Sequence, residues 1–337
     1  MNQDRTADRG APAGVSVVIP VFNQLAYTKL CLESLDRHRE GIGEIVVIDN
    51  GSADGSGAWL QGVPGIRLIL NEQNRGCAAG WNQGVAAATG EWIVVLNNDV
   101  IVTEGWIRGM LDAAAALGLD VVTPAIREGQ ADYDLAAWSR DFVARMRGVH
   151  RLGAADGICF MVHRRVFDAV GTFDEHFRIG QFEDIDFFRR VRLAGFRLGV
   201  TGGAFLHHFG SVTQKAIRKA PAAGGYAAEN RAYYRKKWRL GWLRRQPEKW
   251  TAKARLLAWR WRERLRTGRT LHHSAGGSFT SCARRRAPRR CRRAGSRCSS
   301  RARPAGRRRA RPPAACDSRD RGSAAARSAP GRGSSPS

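Results

Sequence analysis

Val15–Val21 is a continuous, largely β-branched run, and it is followed at once by Leu25–Arg37, whose leucines (Leu25, Leu30, Leu32, Leu35) fall at helical spacing. The alternation then repeats. Glu44–Asp49, Ile66–Leu70, Trp92–Leu96 and Asp120–Thr123 read as further strands, with helices expected over Asp54–Leu60, Gly76–Ala88 and Thr103–Leu117. Strands that are apolar throughout, rather than alternately apolar and polar, belong to a sheet buried on both faces. With helices between them, they predict an α/β architecture: a Rossmann-like, mostly parallel sheet sandwiched by helices.

Downstream the pattern loosens. Residues 124–152 read as a variable loop and helix, Ile158–Val162 as a strand, Arg164–Ala169 as a helix and Glu183–Ala194 as an amphipathic helix. Phe196–Val200 and Ala204–His207 are expected to be two closing strands, and Gly224–Trp238 and Lys249–Leu265 two helices. The predicted organisation is a disordered leader (1–14), an α/β domain (15–240), a basic Trp-rich helical extension (241–267) and an Arg-rich low-complexity tail (268–337).

Charge is distributed as unevenly as structure. The 337-residue chain has a formal net charge of +26, yet residues 1–240 carry only +2. From residue 241 onward there are 28 Lys and Arg against 4 Asp and Glu, so the basicity describes the C-terminal part and not the folded body. Residues 271–337 hold 18 Arg, no Lys and few aliphatic side chains. Such a segment buries too little apolar surface to offset its ordering entropy. Disorder without function, or out-of-frame translation of GC-rich DNA, is expected there ahead of a nucleic-acid-binding role. The seven cysteines form no CxxC pair, which argues against structural zinc and for a reducing compartment. With no apolar signal core and no run of about 18 apolar residues, a cytoplasmic location is expected.

Ligands of open α/β sheets bind beyond the carboxyl ends of the strands. Those ends are polar here in series: Pro20 and Asn23 after the first, Asp49-Asn50-Gly51-Ser52 after the second, Asn71 with Asn74-Arg75-Gly76 after the third, and Asn97-Asn98-Asp99 after the fourth. Any one of them is an ordinary turn sequence, but four on one edge predict a polar ligand site. Asp49 is placed to accept from a base imide N–H, or else to form an Asx-turn or helix cap. Asp99 is placed to hold a divalent cation against a diphosphate, since Mg²⁺ and Mn²⁺ often take one or two protein carboxylates plus phosphate. Glu183-Asp184-Ile185-Asp186 begins a helix between Phe182 and Phe188, and a carboxylate beside apolar walls gains the raised pKa of a general base. Alternatively these acids answer the helix dipole, with Asp186 and Arg190 forming an i,i+4 pair. His207 and His208 project to opposite faces of a strand, so at most one enters a site. A neutral imidazole there would complete a metal shell.

The segments VSVVIPVFNQ, VVIDNGSADG, NEQNRGCAAGWNQG, LNNDV, GTFDEHF, FEDIDFFRRVRLAGF and HHFGS, in this order, resemble family 2 glycosyltransferases of the GT-A fold, and in particular the bacterial rhamnosyltransferase-like branch. The resemblance covers about residues 15–240. It implies inverting transfer from a nucleoside-diphosphate sugar to a glycan or lipid-linked acceptor in cell-surface polysaccharide synthesis, with Mg²⁺ or Mn²⁺. It further implies that Pro20, Asn23, Asp49 and Arg75 contact the nucleotide, with Asn97 and Asn98 beside the donor. Asp99 and His208 would be the metal ligands, His207 being the alternative to His208. Asp184 would be the general base, with Glu183 the runner-up. Asn97 stands where the usual metal motif begins with Asp, which leaves the cation with less protein charge.

Two rival readings differ in kind. A sugar-nucleotide-forming nucleotidyltransferase needs a Gly-rich basic loop after the first strand, and Val21-Phe22-Asn23-Gln24 is not one. A binding protein acting through the basic tail is the other, and nucleic acid is not the expected partner. The extension, with Trp242, Trp250, Trp259 and Trp261 among many Lys and Arg, suits peripheral contact with an anionic membrane at the inner face of the plasma membrane. It equally suits a helix that packs its tryptophans on the domain.

Overall fold

Val17 and Ile19 point to one side of the first strand and Val18 to the other, and all three are fully buried. That two-sided burial extends through the central strands, but not to the edge strand Arg67–Asn71, in the computed structural model, which describes residues 14–219 and 225–274. The expected leader up to residue 13 and the sequence from 275 onward lie outside the described residues.

The first half of the fold comprises β1 (Val15–Val21), α1 (Leu25–Arg37), β2 (Ile42–Asn50), α2 (Ser56–Gln61), β3 (Arg67–Asn71), α3 (Cys77–Ala87), β4 (Trp92–Leu96), β5 (Val100–Val102), α4 (Trp106–Leu117) and β6 (Val121–Glu128). It continues with α5 (Leu135–Met146), β7 (His150–Leu152), β8 (Cys159–His163), α6 (Arg164–Val170), α7 (Glu183–Leu193), β9 (Leu198–His208), α8 (Val212–Lys219), α9 (Tyr226–Lys237), α10 (Trp242–Thr267) and β10 (His272–Ser274). The sheet runs β3-β2-β1-β4-β8-β6-β9-β5, with β7 on β9 and β10 on β6. β1 to β4 are parallel, β8 is antiparallel to β4 and β6, and β9 returns parallel to β6. This is the expected mostly parallel sheet with helices on both faces. On one side Val17, Ile19, Val47 and Val94 pack with Leu35, Trp106 and Met110. On the other, Val18, Val46, Ile48 and Val95 pack with Trp81, Phe160 and Phe187.

Two departures from expectation reshape the C-terminal half of the fold. The two closing strands are one strand, β9, which continues through Gly202-Gly203 with a bulge, its pairing with β6 stepping from Thr201 to Phe205. Interior glycines ordinarily weaken a strand, but Gly202 is required by close approach, and Gly203 lies against a second glycine, Gly109. A Cβ on Gly202 would lie 2.8 Å from the Met146 carbonyl carbon, and one on Gly109 of α4 would lie 2.5 Å from that of Gly203.

The second difference concerns the C-terminal extension. The chain turns at Gly268 (φ +72°) and lays β10 parallel to β6, pairing His272 with Ile126 and Ser274 with Glu128. Thr270 and Leu271 are buried, Leu271 among Phe142, Met146 and Phe205. The expected tail boundary at 268 therefore falls inside the fold. Composition changes over a window of residues, whereas burial of Leu271 is a single-residue event. α10 is fastened by a buried pair: Glu263 accepts from Arg151 Nε and Nη2, both at 2.6 Å, and its Oε2 also accepts from the Leu271 N–H at 3.0 Å.

Candidate active site

Register alone brings the polar strand ends together. Val21 of β1 pairs with Asp49 of β2, and Asn50 pairs with Asn71 of β3. A cavity of about 270 Å³ opens beyond these ends, and Pro20, Asn50, Asn74, Asn97, Asn98 and Asp99 contribute to its walls. Asn50 Nδ2 donates to Asn74 Oδ1 and to the Gly76 carbonyl, each at 3.0 Å, and Asn50 Oδ1 accepts from the Arg75 N–H at 3.1 Å. Asn23 sits in the left-handed region (φ 54°) and its Oδ1 accepts from the Ala53 N–H at 2.8 Å, so it ties the β1 loop to the β2 loop. Asn98 is buried and donates to Thr28 Oγ1 at 2.9 Å. Asp49 is buried with Oδ1 unpartnered among the described residues, an acceptor prepared but not used within the fold. Asn23, Asp49 and Arg75 all stand outside the cavity walls, and the Arg75 side chain is exposed.

The end of β9 supplies the next group. Val100 of β5 pairs with His208 on one edge of β9, and Glu128 of β6 pairs with it on the other. His208 is therefore clasped between two carboxylates: Nε2 lies 3.3 Å from Asp99 Oδ1 and Nδ1 lies 3.0 Å from Glu128 Oε1. Burial lowers the imidazole pKa, but the hydrogen bonds and charges of Asp99 and Glu128 outweigh it and raise His208 to about 9. Burial likewise opposes ionisation of Asp99, and His208 outweighs it, so Asp99 is lowered. Glu128 is pulled well below the carboxylate range by His208 and then by His272 of β10, whose Nε2 lies 3.4 Å from Glu128 Oε2. His207 faces away, with Nδ1 2.9 Å from the Tyr133 hydroxyl and burial lowering it to about 4. Of the two histidines, His208 is the one beside Asp99.

The α7 N-terminus brings the third group. Glu183 and Asp184 both line the cavity, Glu183 buried and Asp184 half-buried. Burial raises the pKa of both carboxyls; the charge of Asp184 adds to the shift of Glu183, and that of Asp156 to the shift of Asp184. Glu183 Oε2 is buried without a partner among the described residues. Asp186 does not join them. It is fully buried and saturated by Arg190 Nε (3.0 Å), Lys237 Nζ (2.9 Å) and Trp238 Nε1 (2.8 Å), which fasten α9 to α7. The expected i,i+4 pair of Asp186 with Arg190 thus forms, buried rather than at the surface, and leaves Glu183 and Asp184 as the cavity pair.

Sequence reasoning passed over Glu128, Asp156, Gly157 and Cys77. Glu128 ends β6 and obeys the same strand-end rule as Asp49 and Asp99, but β6 was expected to stop at Thr123. Asp156 and Gly157 belong to a connecting loop with no periodic signal. Cys77, a cavity residue that hydrogen-bonds Glu183, is one unpatterned cysteine.

Residues 16–185 match the family model described as glycosyl transferase family 2. The chain belongs to glycosyl transferase family 2. The matched segment carries Asp49, Asp99, Asp156, Glu183 and Asp184, while His208 and His272 come from the sequence that follows it. An uncharacterized protein of Mycobacterium tuberculosis is 29% identical over 204 residues, covering 58% of this chain and 74% of its own. Glycosyltransferase AglE of Haloferax volcanii is 24% identical over 217 residues, covering 60% of this chain and 71% of its own. Among solved structures, S. aureus TarS 1–349 in complex with UDP is similar, at 17% identity, 61% coverage of this chain, 63% of that chain and a TM-score of 0.48. As a family 2 glycosyltransferase with a GT-A sheet, the protein transfers sugar, and its cavity lies where such a sheet binds ligands.

Proposed function

We propose that this glycosyltransferase moves a sugar, with inversion, from a nucleoside-diphosphate donor to a glycan or lipid-linked acceptor in cell-surface polysaccharide synthesis. One observation carries the reading: a single cavity is lined by Asp99, which His208 backs at 3.3 Å from behind the wall, and by the carboxyls of Glu183 and Asp184. The first suits a diphosphate with its cation, the second a proton to be removed.

The free Oδ1 of buried Asp49 suits a base imide N–H, Pro20, Asn97 and Asn98 shape the floor on which the nucleotide lies, and Asn23 holds the two loops beside it together. Arg75, exposed at the rim, is the cation placed to meet phosphate from outside. For Mg²⁺ or Mn²⁺ the residues fit a site of few protein ligands. Asp99 and His208 would be two, Asn97 would add no charge, and no cluster of three or more His, Cys, Asp or Glu arranged to hold a metal occurs among the described residues. Glu128 on Nδ1 is the outer carboxylate that orients a ligating imidazole. When bound, such a cation neutralises the departing diphosphate.

Asp184 accepts the proton of the acceptor hydroxyl. The hydroxyl oxygen bonds to the anomeric carbon as the bond from that carbon to the diphosphate oxygen breaks, and the electron pair leaves with the diphosphate. Burial raises both carboxyls, and the charge of Asp184 raises Glu183 further, so the two titrate as one pair that gives up its protons above the ordinary carboxylate range. The test is acceptor-dependent release of nucleoside diphosphate from UDP-, GDP- and dTDP-linked sugars with Mn²⁺. Release that falls by roughly a hundredfold in Asp184→Asn supports the reading; equal release by both proteins contradicts it.

A further inference from the structure

α10 is a 26-residue helix with two unlike faces. One lies against the body: Leu256 and Trp259 are half-buried, and Glu263 is buried in its bond to Arg151. On the other, Trp250 is 67% exposed, Leu257 56%, Trp261 65% and Leu265 67%. At about 100° per residue these four positions fall within about 80° of one another, so they form one stripe. The side chain of Trp242 lies outside the described residues.

The flanks of that stripe have one sign. Lys253, Arg260 and Arg264 follow one edge and Arg255, Arg262 and Arg266 the other. Between residues 250 and 267 the sole acid is Glu263, already occupied by Arg151. The Lys253 ammonium lies 5.9 Å from the Trp250 ring, apolar and cationic groups side by side.

We propose that this face of α10 docks the protein on an anionic bilayer surface. Trp at headgroup depth, aliphatic side chains just below and cations on both flanks are what an in-plane interfacial helix presents. Charge selects this occupant over the alternatives. A second copy would set cations against cations. Residues 275–337, with 18 Arg and 2 Asp, would do the same. Nucleic acid would satisfy the cations and leave the Trp and Leu stripe wet. Among the described residues no helix is long and apolar enough to cross a membrane, so the contact lies in the surface plane. The proposal does not depend on the donor or the acceptor.

The test uses the full chain and phosphatidylcholine vesicles with and without about a third phosphatidylglycerol. One variant combines Trp250→Ala, Leu257→Ala, Trp261→Ala and Leu265→Ala; these exposed sites leave the fold intact, which an unchanged Tm verifies. The protein is expected to sediment with the anionic vesicles, bromine-labelled lipid to quench its Trp fluorescence, and the variant to partition at least about tenfold more weakly with that quenching lost. Full partitioning of the variant, or unquenched fluorescence of bound wild type, would mean that the Arg-rich segment makes the contact, and would overturn the proposal. So would no sedimentation at low salt, or a variant that loses duplex nucleic acid or self-association instead of vesicles.

Discussion

Gly157 packs so closely on Asp184 that a Cβ added to it would lie 2.8 Å from the Asp184 carboxyl carbon. The glycine is part of how the proposed base is aimed, because the loop before β8 and the α7 N-terminus meet at that contact. Gly157→Ala is expected to push the carboxylate off its position, lowering kcat by roughly a hundredfold, the scale of a misplaced catalytic group, with donor affinity retained. Steady-state kinetics with separate donor-binding measurements check this; normal kcat would remove Asp184 from the chemistry.

The pH profile follows from the same pair. Burial raises the Asp184 pKa and the Asp156 charge raises it further, so the ionised base accumulates only above the ordinary carboxylate value of about 4. Activity is expected to rise with pH along that displaced limb, and Asp156→Asn to move the limb to lower pH. Stability has the opposite sign. A carboxyl whose pKa is raised on folding contributes fully below the unfolded pKa and loses that contribution as pH rises through the folded one. The stability loss with rising pH should therefore flatten in Glu183→Gln, as denaturant midpoints across pH would show.

Glu128 acts through His208. Glu128→Gln removes the carboxylate on Nδ1 and is expected to weaken cation affinity by about 10–100-fold, the usual cost of losing such a partner. The readout is the Mn²⁺ midpoint for nucleoside-diphosphate binding, with kcat at saturating Mn²⁺ largely kept. His272→Ala, one step further out at 3.4 Å, should shift the midpoint in the same direction by less.

Glu263 is buried between Arg151 and the Leu271 N–H. Glu263→Ala leaves a guanidinium without its counter-charge and is expected to cost about 3–5 kcal/mol. A fall in the urea midpoint would show it. An unchanged midpoint would mean that α10 and β10 contribute little to the fold.

Much of this was legible in the sequence because its signals are local. Val15–Val21 and Trp92–Leu96 are apolar on both faces and end in polar residues, which fixed both the sheet and its ligand edge. The β5 strand escaped notice because Val100–Val102 directly follows Asp99 and is only three residues long. β9 looked broken because Gly202-Gly203 lowers strand propensity, although the end of α5 at Met146 passes too close to Gly202 for anything larger. β10 lies beyond a composition change, and only pairing with β6 defines it. The Asp99–His208–Glu128 clasp joins two strands, β9 and β6, with the turn before β5, in a register that no single window of sequence contains.

The account rests on the cavity binding a nucleoside diphosphate together with a divalent cation at Asp99 and His208. Calorimetric titration of the full chain with UDP, GDP and dTDP, each with and without Mn²⁺, tests that most directly. At least one diphosphate should bind in a Mn²⁺-dependent way, and Asp99→Ala should abolish that dependence while the Tm of the free protein is kept. Binding that ignores Mn²⁺ and is unchanged in Asp99→Ala, or no binding of any diphosphate, would contradict it.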